Sequence, residues 1–263
     1  MPTEDKKRQK VALEMLERYT GSSPKKFHPF ILLTNFDHYF QVFSKMYKAK
    51  VEEGSVMAVA HSTSAKVSMI NFRIGAPTAA LVMDIISYIQ PKAVLMLGMC
   101  GGLHPKVKVG DFILPMAAIR DEGTSSFYMP DRIPALPTFR IQKILSEVLG
   151  DMDIQYKTGV VHTTDYRFWE FDQKFRGRLV EERTIVIDME CAAIFVAGFG
   201  RRVPIGALLL VSDLPLKRGG IKSIKSSLSV FKNYSKTHLE IGVKTLGSIQ
   251  HMRDEINLRQ FQW

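Results

Sequence analysis

The chain has 263 residues, 46% of them hydrophobic, so it can bury a substantial core as one α/β domain and is short for two large domains. Its formal net charge of +10 favours anionic partners in general, but the charge is scattered, which argues against a dedicated nucleic-acid stripe. The two cysteines, Cys100 and Cys191, stand far apart in apolar segments and predict neither a disulfide framework nor a zinc site.

No stretch approaches the roughly 20 apolar residues that span a bilayer, and the N-terminus lacks the apolar region of a signal peptide. Together with the cysteine usage, this predicts a cytoplasmic protein without a membrane partner. The seven histidines show no metal-ligand spacing, so we expect no metal.

In chain order, the first predicted element is an amphipathic helix over residues 4–18, followed by a turn at residues 21–24. We expect residues 1–24 to form an appended helical arm and residues 31–250 to form the core of a single catalytic domain spanning 1–263. No internal repeat or low-complexity linker interrupts that range.

Residues 31–34 predict a first strand, and residues 37–50 predict a helix after it. Residues 56–61 and 66–73 predict two strands that form a hairpin. Gly75 then opens an apolar helix reaching residue 89, and a helix N-terminus after a glycine turn is suited to binding an anion.

Residues 93–97 form a predicted central strand that runs directly into the glycine-rich residues 98–102. We expect a loop there, in which backbone N–H groups can approach a ligand closely. The glycine spacing fits neither the dinucleotide fingerprint nor the phosphate-binding loop of the nucleoside triphosphatases.

Residues 111–114, 117–120 and 156–162 predict further strands, and residues 138–149 predict a helix. The last of these strands ends in a segment, residues 163–170, that mixes polar groups with aromatic rings and therefore suits a planar ligand. Taken singly, each of these aromatic residues is equally well explained as a contact with a helix.

Two carboxylates follow apolar strands. Residues 184–187 and 205–211 read as buried strands, Glu190 and Asp213 follow them, and residues 191–200 read as the helix between. Strand, helix and strand predict a parallel crossover unit. Ligands bind beyond the carboxyl ends of parallel strands, so we expect both carboxylates in one cleft, although each alone also fits a helix-end or turn role.

The basic residues 221–236 lead into a predicted C-terminal helix reaching about residue 257. Most such stretches are solvated faces.

These segments resemble the nucleoside phosphorylase and nucleosidase superfamily. The resemblance covers residues 31–250 in order and with similar spacing, through the glycine segment, residues 109–112, residues 188–190 and residues 212–213. Within the superfamily the chain is most similar to the AMP nucleosidases, through residues 33–35, 164–170 and 212–216 followed by 221–222, and it looks like their catalytic portion without an extra N-terminal domain.

The resemblance implies an α/β fold, a three-layer α/β/α sandwich with a central mixed, partly barrel-like β-sheet, assembled as a homohexamer. It implies that Asp213 protonates N7 of a purine and that Met189 and Glu190 hold the ribose, with no cofactor. Ser212 is expected to orient Asp213.

These roles match the chemistry of a purine N-glycosidic bond, whose cleavage leaves positive charge on the ribose and negative charge on the base. A well-placed general acid such as Asp213 typically contributes ~10²–10⁴-fold, but it needs a proton near neutral pH and therefore a desolvated position. An ionised Glu190 would accept charge-assisted hydrogen bonds from ribose hydroxyls, worth roughly 1.5–3 kcal/mol each.

Two departures from the family pattern bear on the nucleophile. Met96 stands where related phosphorylases carry a phosphate-binding arginine, and Met99 replaces a serine of the glycine segment, so water is favoured over phosphate. Asn35 stands near the position of the water-activating glutamate of the thioadenosine nucleosidases, which leaves the water-activating group unassigned.

The expected function is hydrolysis of AMP to adenine and ribose 5-phosphate, with a small-molecule partner and no nucleic acid. The alternatives are a purine nucleoside phosphorylase, a methylthioadenosine or adenosylhomocysteine nucleosidase, and a basic nucleotide- or RNA-binding module without catalysis. Cations proposed for the 5′-phosphate are Arg120, Arg167, Arg218 and Lys222, although for each one alone a solvated surface charge is the commoner explanation. The other predicted substrate contacts are Gly98, Met99, Cys100, Gly101, Asn35, His38, Tyr39, Thr164, Asp165, Tyr166 and Phe168.

Overall fold

A computed structural model describes residues 2–217, 219–221 and 224–252. Within those residues the chain forms seven α-helices and nine strands. The helices are α1 (Pro2–Thr20), α2 (Asp37–Tyr47), α3 (Ala76–Ser87), α4 (Phe139–Asp151), α5 (Gln173–Glu181), α6 (Cys191–Gly200) and α7 (Ile224–Gln250). The strands are β1 (Phe30–Thr34), β2 (Lys50–Glu53), β3 (Ala58–Ser62), β4 (Val67–Asn71), β5 (Ala93–Gly102), β6 (Phe112–Asp121), β7 (Tyr156–Thr164), β8 (Val186–Asp188) and β9 (Ile205–Asp213).

The strands form one mixed sheet in the order β2-β3-β4-β1-β5-β8-β7-β6-β9. Strand β9 also pairs with β5, so β5, β8, β7, β6 and β9 close into a five-stranded barrel, from which the other four strands extend. The expected mixed, partly barrel-like sheet is therefore confirmed.

Helices cover the sheet on two sides, which confirms the three-layer sandwich. Alternate residues of a strand point to opposite faces. In β1, Ile31 and Leu33 pack in a cluster with α1, α3 and α6, whereas Leu32 packs with α2, α4 and α7. Both clusters consist of apolar side chains shielded from solvent, and their burial is the main favourable term in folding.

The predicted parallel crossover through α6 is wrong. Strand β9 pairs parallel with β5, but β8 pairs antiparallel with the same strand, so β8 and β9 run in opposite directions. The parallel partner of β8 is β7. An apolar strand-helix-strand pattern shows that both strands are buried but not which neighbour each one pairs with, and barrel closure places β8 and β9 on opposite sides of β5.

Other elements differ from expectation in detail. The two strands predicted at residues 111–114 and 117–120 are one strand, β6, with a register shift between Pro115 and Ala117. Helix α5 and strand β2 were not predicted. The hairpin is confirmed as β3 and β4, which pair antiparallel.

The second half of α1, the helix predicted as an appended arm, packs against the core. Leu16 is fully buried in the cluster that contains α3 and α6. At the end of the helix, the carbonyl of Tyr19 accepts a hydrogen bond from the Met57 N–H at 2.8 Å.

Candidate active site

One pocket collects side chains from the ends of β1, β5, β8 and β9 and from the segment after β7. It brings together Asp213, Glu190, Met189, Ser212, Met99, Cys100, Gly101, Asn35 and Arg167 of the predicted set. Its lining is Asn35, Phe36, Ile74, Met99, Cys100, Gly101, Arg167, Trp169, Glu170, Ile187, Asp188, Met189, Glu190, Ser212, Asp213 and Pro215.

Ser212 and Asp213 end strand β9. The Ser212 side chain is buried, and its hydroxyl donates to Asp213 Oδ1 at 2.5 Å and lies 3.3 Å from the carbonyl oxygen of Cys100. Asp213 itself is half-buried. The hydroxyl therefore limits the orientation of the Asp213 carboxylate at the edge of the pocket.

Asp188 ends β8 and ties it to two neighbouring elements. Its Oδ1 accepts from the Thr163 hydroxyl of β7 at 2.6 Å, and its Oδ2 accepts from the Cys191 N–H at the start of α6 at 2.8 Å. The second bond satisfies one of the N–H groups that a helix start leaves without a partner. Burial raises the pKa of this carboxyl.

Glu190 is almost completely buried between β8 and α6. Its Oε1 accepts from the Gly75 N–H at 2.8 Å, and its Oε2 accepts from the Met189 N–H at 3.3 Å. Burial, and next the nearby charge of Asp188, raise the pKa of Glu190 to about 8, although these donors and Asn35 oppose the rise. The site thus holds a carboxyl group that titrates close to neutral pH.

The glycine turn before α3 binds this carboxylate. Gly75 has φ +96°, a conformation that favours glycine, and its N–H points at Glu190. The Gly75 N–H, which the sequence suggested for an anionic ligand, is therefore occupied by a side chain of the protein itself.

Asn35 follows β1 and joins the same group. Its side chain forms a hydrogen bond that lowers the pKa of Glu190, which makes the amide the donor. Among the described residues, its Oδ1 is buried without a hydrogen-bond partner. This oxygen is consequently an acceptor without a described partner on a residue that lines the pocket.

The glycine-rich residues form part of a strand rather than the predicted loop. Strand β5 continues to Gly102, and Gly101 pairs with Ile187 of β8 on one side and with Asp213 of β9 on the other. A Cβ on Gly101 would lie 3.1 Å from Pro215 and 3.2 Å from Ile187, so a larger residue here would press on both neighbours. The segment serves to bring three strand ends together.

The segment after β7 contributes an ion pair to the pocket. Arg167 Nη1 lies 2.7 Å from Glu170 Oε1, and Glu170 is only 7% exposed. Trp169 between them is buried against Leu103 and Ile187.

Two residues that were predicted to contact the substrate do not line the pocket and bind other parts of the protein. Tyr39 is fully buried, and its hydroxyl hydrogen-bonds His238 Nδ1 at 2.8 Å, because the apolar face of α2 turns this ring toward α7. Arg120 is also committed: its guanidinium donates to the Ser125 hydroxyl at 2.8 Å and to the carbonyls of Met129, Pro130 and Ile133 at 2.6–2.9 Å.

The remaining predicted contacts do not line the pocket. Gly98 lies within β5 against Met96 and Leu209. His38 lies on α2, with its Nε2 3.2 Å from the Ser235 hydroxyl. At the end of β7, the hydroxyl of Thr164 accepts the N–H of Tyr166. In the segment that follows, Asp165 accepts the Gly123 N–H, Tyr166 packs on Phe175, and Phe168 is exposed. Arg218 and Lys222 lie outside the described residues.

Sequence reasoning missed several pocket residues. Glu170 and Trp169 lie inside residues 163–170, and the mixture of polar and aromatic residues that marked this segment was a signal for both. Asp188 begins the Asp-Met-Glu motif and carried a similar signal. Phe36 and Ile74 follow no motif, and only the fold brings them to the pocket.

The described residues contain no cluster of three or more histidine, cysteine or acidic side chains that could hold a metal ion. They also contain no helix with the length and apolar character required to cross a bilayer.

Comparison with known proteins places these features in context. The family model described as Phosphorylase superfamily matches residues 21–246. AMP nucleosidase of Escherichia coli (strain K12) is 26% identical, over 98% of this chain and 62% of that protein. Uridine phosphorylase of Treponema pallidum (strain Nichols) is 30% identical, over 60% of this chain and 66% of that protein.

A solved structure also resembles this chain. The crystal structure of AMP nucleosidase from Bacteroides thetaiotaomicron VPI-5482 superposes with a TM-score of 0.82 at 37% identity, covering 92% of this chain and 97% of that one. The chain spans about 62% of the length of the curated Escherichia coli AMP nucleosidase that it matches.

Proposed function

Because the chain belongs to the phosphorylase superfamily, we propose that it hydrolyses the N-glycosidic bond of AMP to adenine and ribose 5-phosphate. Relatives that carry the name AMP nucleosidase support this substrate, one of them at 37% identity over nearly its whole solved chain. The reaction as proposed needs no cofactor.

The observation that carries the proposal is that Asp213 and Glu190 line one pocket. In the proposed reaction Asp213, oriented by Ser212, gives a proton to N7 of the purine, which stabilises the departing base. Glu190 holds the ribose hydroxyls. A protein that only binds polyanions would gain nothing from two carboxylates facing its ligand, so the non-catalytic alternative is disfavoured.

Glu190 is suited to respond to charge that develops on the sugar. Its pKa of about 8 means that the buried carboxyl carries a proton in much of the free protein near pH 7. Ribose hydroxyls that donate to it, and positive charge on the ribose in the transition state, both favour its ionised form. Interactions that strengthen in the transition state raise the rate of the chemical step.

Water is the proposed nucleophile. Met96 is fully buried in the core. Among the described residues that line the pocket, Arg167 is the one cation, and it pairs with Glu170. No described cation of the lining is therefore left to hold inorganic phosphate, which argues against phosphorolysis.

The same scarcity of cations supports a second candidate. A 5′-phosphate also needs cations or N–H donors, and the predicted ones, Arg218 and Lys222, lie outside the described residues. The apolar side chains of Ile74 and Phe36 line the pocket and would suit an uncharged 5′ substituent. A methylthioadenosine or adenosylhomocysteine nucleosidase is thus the alternative.

One experiment separates these candidates. The protein is incubated with AMP, adenosine and methylthioadenosine, each with and without phosphate, and the sugar product is identified by mass spectrometry. Ribose 5-phosphate from AMP without phosphate supports the proposal. Cleavage of methylthioadenosine alone supports the second candidate, and a phosphate requirement with release of ribose 1-phosphate would support a phosphorylase. The homohexamer and the cytoplasmic location stay predictions. Analytical ultracentrifugation would measure the number of subunits.

A further inference from the structure

Glu170 lines the pocket, and one of its two carboxylate oxygens has no hydrogen-bond partner among the described residues. Its Oε1 is bound by Arg167 at 2.7 Å, whereas its Oε2 is buried and has no hydrogen-bond partner among the described residues. Leaving a buried acceptor without a partner is unfavourable, because the oxygen has lost its hydrogen bonds to water. A group of the bound ligand that donates to this oxygen would remove that cost.

Contacts of the residue before Glu170 connect it to the strand ends that carry Asp213, the residue proposed to act on the base. The preceding residue, Trp169, packs with Ile187, and Leu216 packs against the same cluster. Ile187 pairs with Gly101, which pairs on its other side with Asp213. Glu190 is instead tied to Gly75 and Asn35, on the side of α3 and β1.

We propose that Glu170 Oε2 accepts a hydrogen bond from the exocyclic amine of a 6-aminopurine and thereby makes the pocket select adenine over 6-oxopurines. The inference rests on the proposed function, which supplies the purine nucleotide. It assigns to Glu170 a role in base specificity, whereas the proposed reaction uses only Asp213 and Glu190.

Donor and acceptor chemistry gives the expected selectivity. An ionised carboxylate only accepts, and the amine of adenine offers N–H donors. A 6-oxopurine would turn an oxygen lone pair toward the same carboxylate and leave both acceptors unpaired. Sites built to hydrogen-bond one substrate group can reject an analogue lacking it by as much as ~10⁴–10⁵-fold. The bond from Arg167 holds the carboxylate in one orientation, which reduces the entropy lost on binding.

Glu122 provides a matched control inside the same chain. It is also 7% exposed, its Oε2 accepts the N–H groups of Thr124 and Ser125, and its Oε1 is buried without a partner among the described residues. Glu122 does not line the pocket. Both glutamates therefore have one buried oxygen without a partner, but only Glu170 of the two lines the pocket.

The test is the ratio of kcat/KM for AMP to that for IMP in wild type, Glu170→Gln and Glu122→Gln, with thermal melting of each variant. Glutamine keeps the shape of glutamate but can also donate to a 6-oxo group, so Glu170→Gln should lower the ratio at least ~10-fold. Glu122→Gln should leave it unchanged. Should Glu170→Gln fail to fold, Glu170→Asp retracts the acceptor, and AMP cleavage should fall while IMP cleavage does not.

An unchanged ratio in the folded Glu170 variant, or a wild type that cleaves both nucleotides equally, overturns the inference. If the wild type cleaves neither nucleotide, the proposed function has failed, and calorimetric titration with free adenine and hypoxanthine tests base selection alone. Tighter adenine binding that Glu170→Gln abolishes supports the inference. Equal binding of the two bases, or binding of neither, overturns it.

Discussion

Glu190 and Asp213 line the same pocket although the strands that precede them, β8 and β9, run in opposite directions. Gly101, near the end of β5, pairs with Ile187 on one side and Asp213 on the other. The two strand ends therefore meet at β5 from opposite directions. Closure of the barrel, rather than a shared edge of parallel strands, brings the two carboxylates together.

Asp213→Asn should lower kcat for AMP by ~10²–10⁴-fold, because the amide cannot give up a proton to the leaving base. Thermal stability should stay near that of the wild type, since the half-buried side chain keeps its shape and its contact with Ser212. Steady-state kinetics and a thermal melt measure both. Asp153→Asn, on an exposed turn at φ +54° where asparagine is well tolerated, is the control. Retained turnover would remove Asp213 from the proposed role.

Glu190→Gln should lower kcat about 10–100-fold with a smaller change in KM, because neutral hydrogen bonds replace charge-assisted ones. The pKa of about 8 also predicts that wild-type kcat/KM rises with pH toward that value as Glu190 ionises. This rising limb should be absent from the variant. Glu147→Gln, on the exposed face of α4, serves as the control. If kcat/KM of Glu190→Gln still rises with pH in the same range, the rise reports the ionisation of another group.

The same titration should appear in stability. The pKa of Glu190 rises on folding from 4.5 to about 8, so between these values the folded state binds a proton that the unfolded chain releases. The free energy of unfolding should therefore fall as pH rises through this window, by at most about 1.4 kcal/mol per pH unit. Urea unfolding across the window should show a smaller fall for Glu190→Gln. Burial raises the pKa of Asp188 as well, so part of the slope should remain. Identical slopes would contradict the assignment.

Asn35→Ala should move the rising limb of the pH profile to higher pH. In the wild type the Asn35 amide donates to Glu190 and lowers its pKa, so removing this donor should raise that pKa. Asn35→Asp should move it further, since a second carboxylate would then face Glu190. The pH dependence of kcat/KM for each variant measures the shift. Asn233→Ala, at an exposed position on α7, should leave the profile unchanged. If the variants are slower but the rising limb of their pH profile stays at the wild-type pH, Asn35 contacts the substrate without setting the pKa of Glu190.

Tyr39→Phe should destabilise the fold by roughly 1–3 kcal/mol and leave kcat/KM near wild type. His238 Nε2 lies 3.0 Å from the Leu208 carbonyl and donates to it, which makes Nδ1 the acceptor of the Tyr39 hydroxyl. The phenylalanine variant leaves this nitrogen without a partner, and burial already lowers the pKa of His238 to about 3. Denaturant unfolding and kinetics separate the two effects. A large loss of activity at normal stability would restore Tyr39 as a substrate contact.

Much of the fold and part of the site could be predicted from local pattern. Apolar runs located β1, β5, β7 and β9, and the acidic residues after such runs identified Asp213 and Glu190. Charge and aromatic content could not tell a pocket residue from a structural one. Arg120 and Arg167 are both basic residues at or after strand ends, yet one binds backbone carbonyls and the other lines the pocket.

By itself, the sequence determined the α/β class and the order of the main elements, and it singled out the two carboxylates that line the pocket, because burial periodicity and residue chemistry are local properties. Only the tertiary structure decided the direction of β8, the burial of Tyr39, the contact of Gly75 with Glu190 and the unused oxygen of Glu170. These features depend on which distant segments pack together, and a pattern within one segment does not encode its partner.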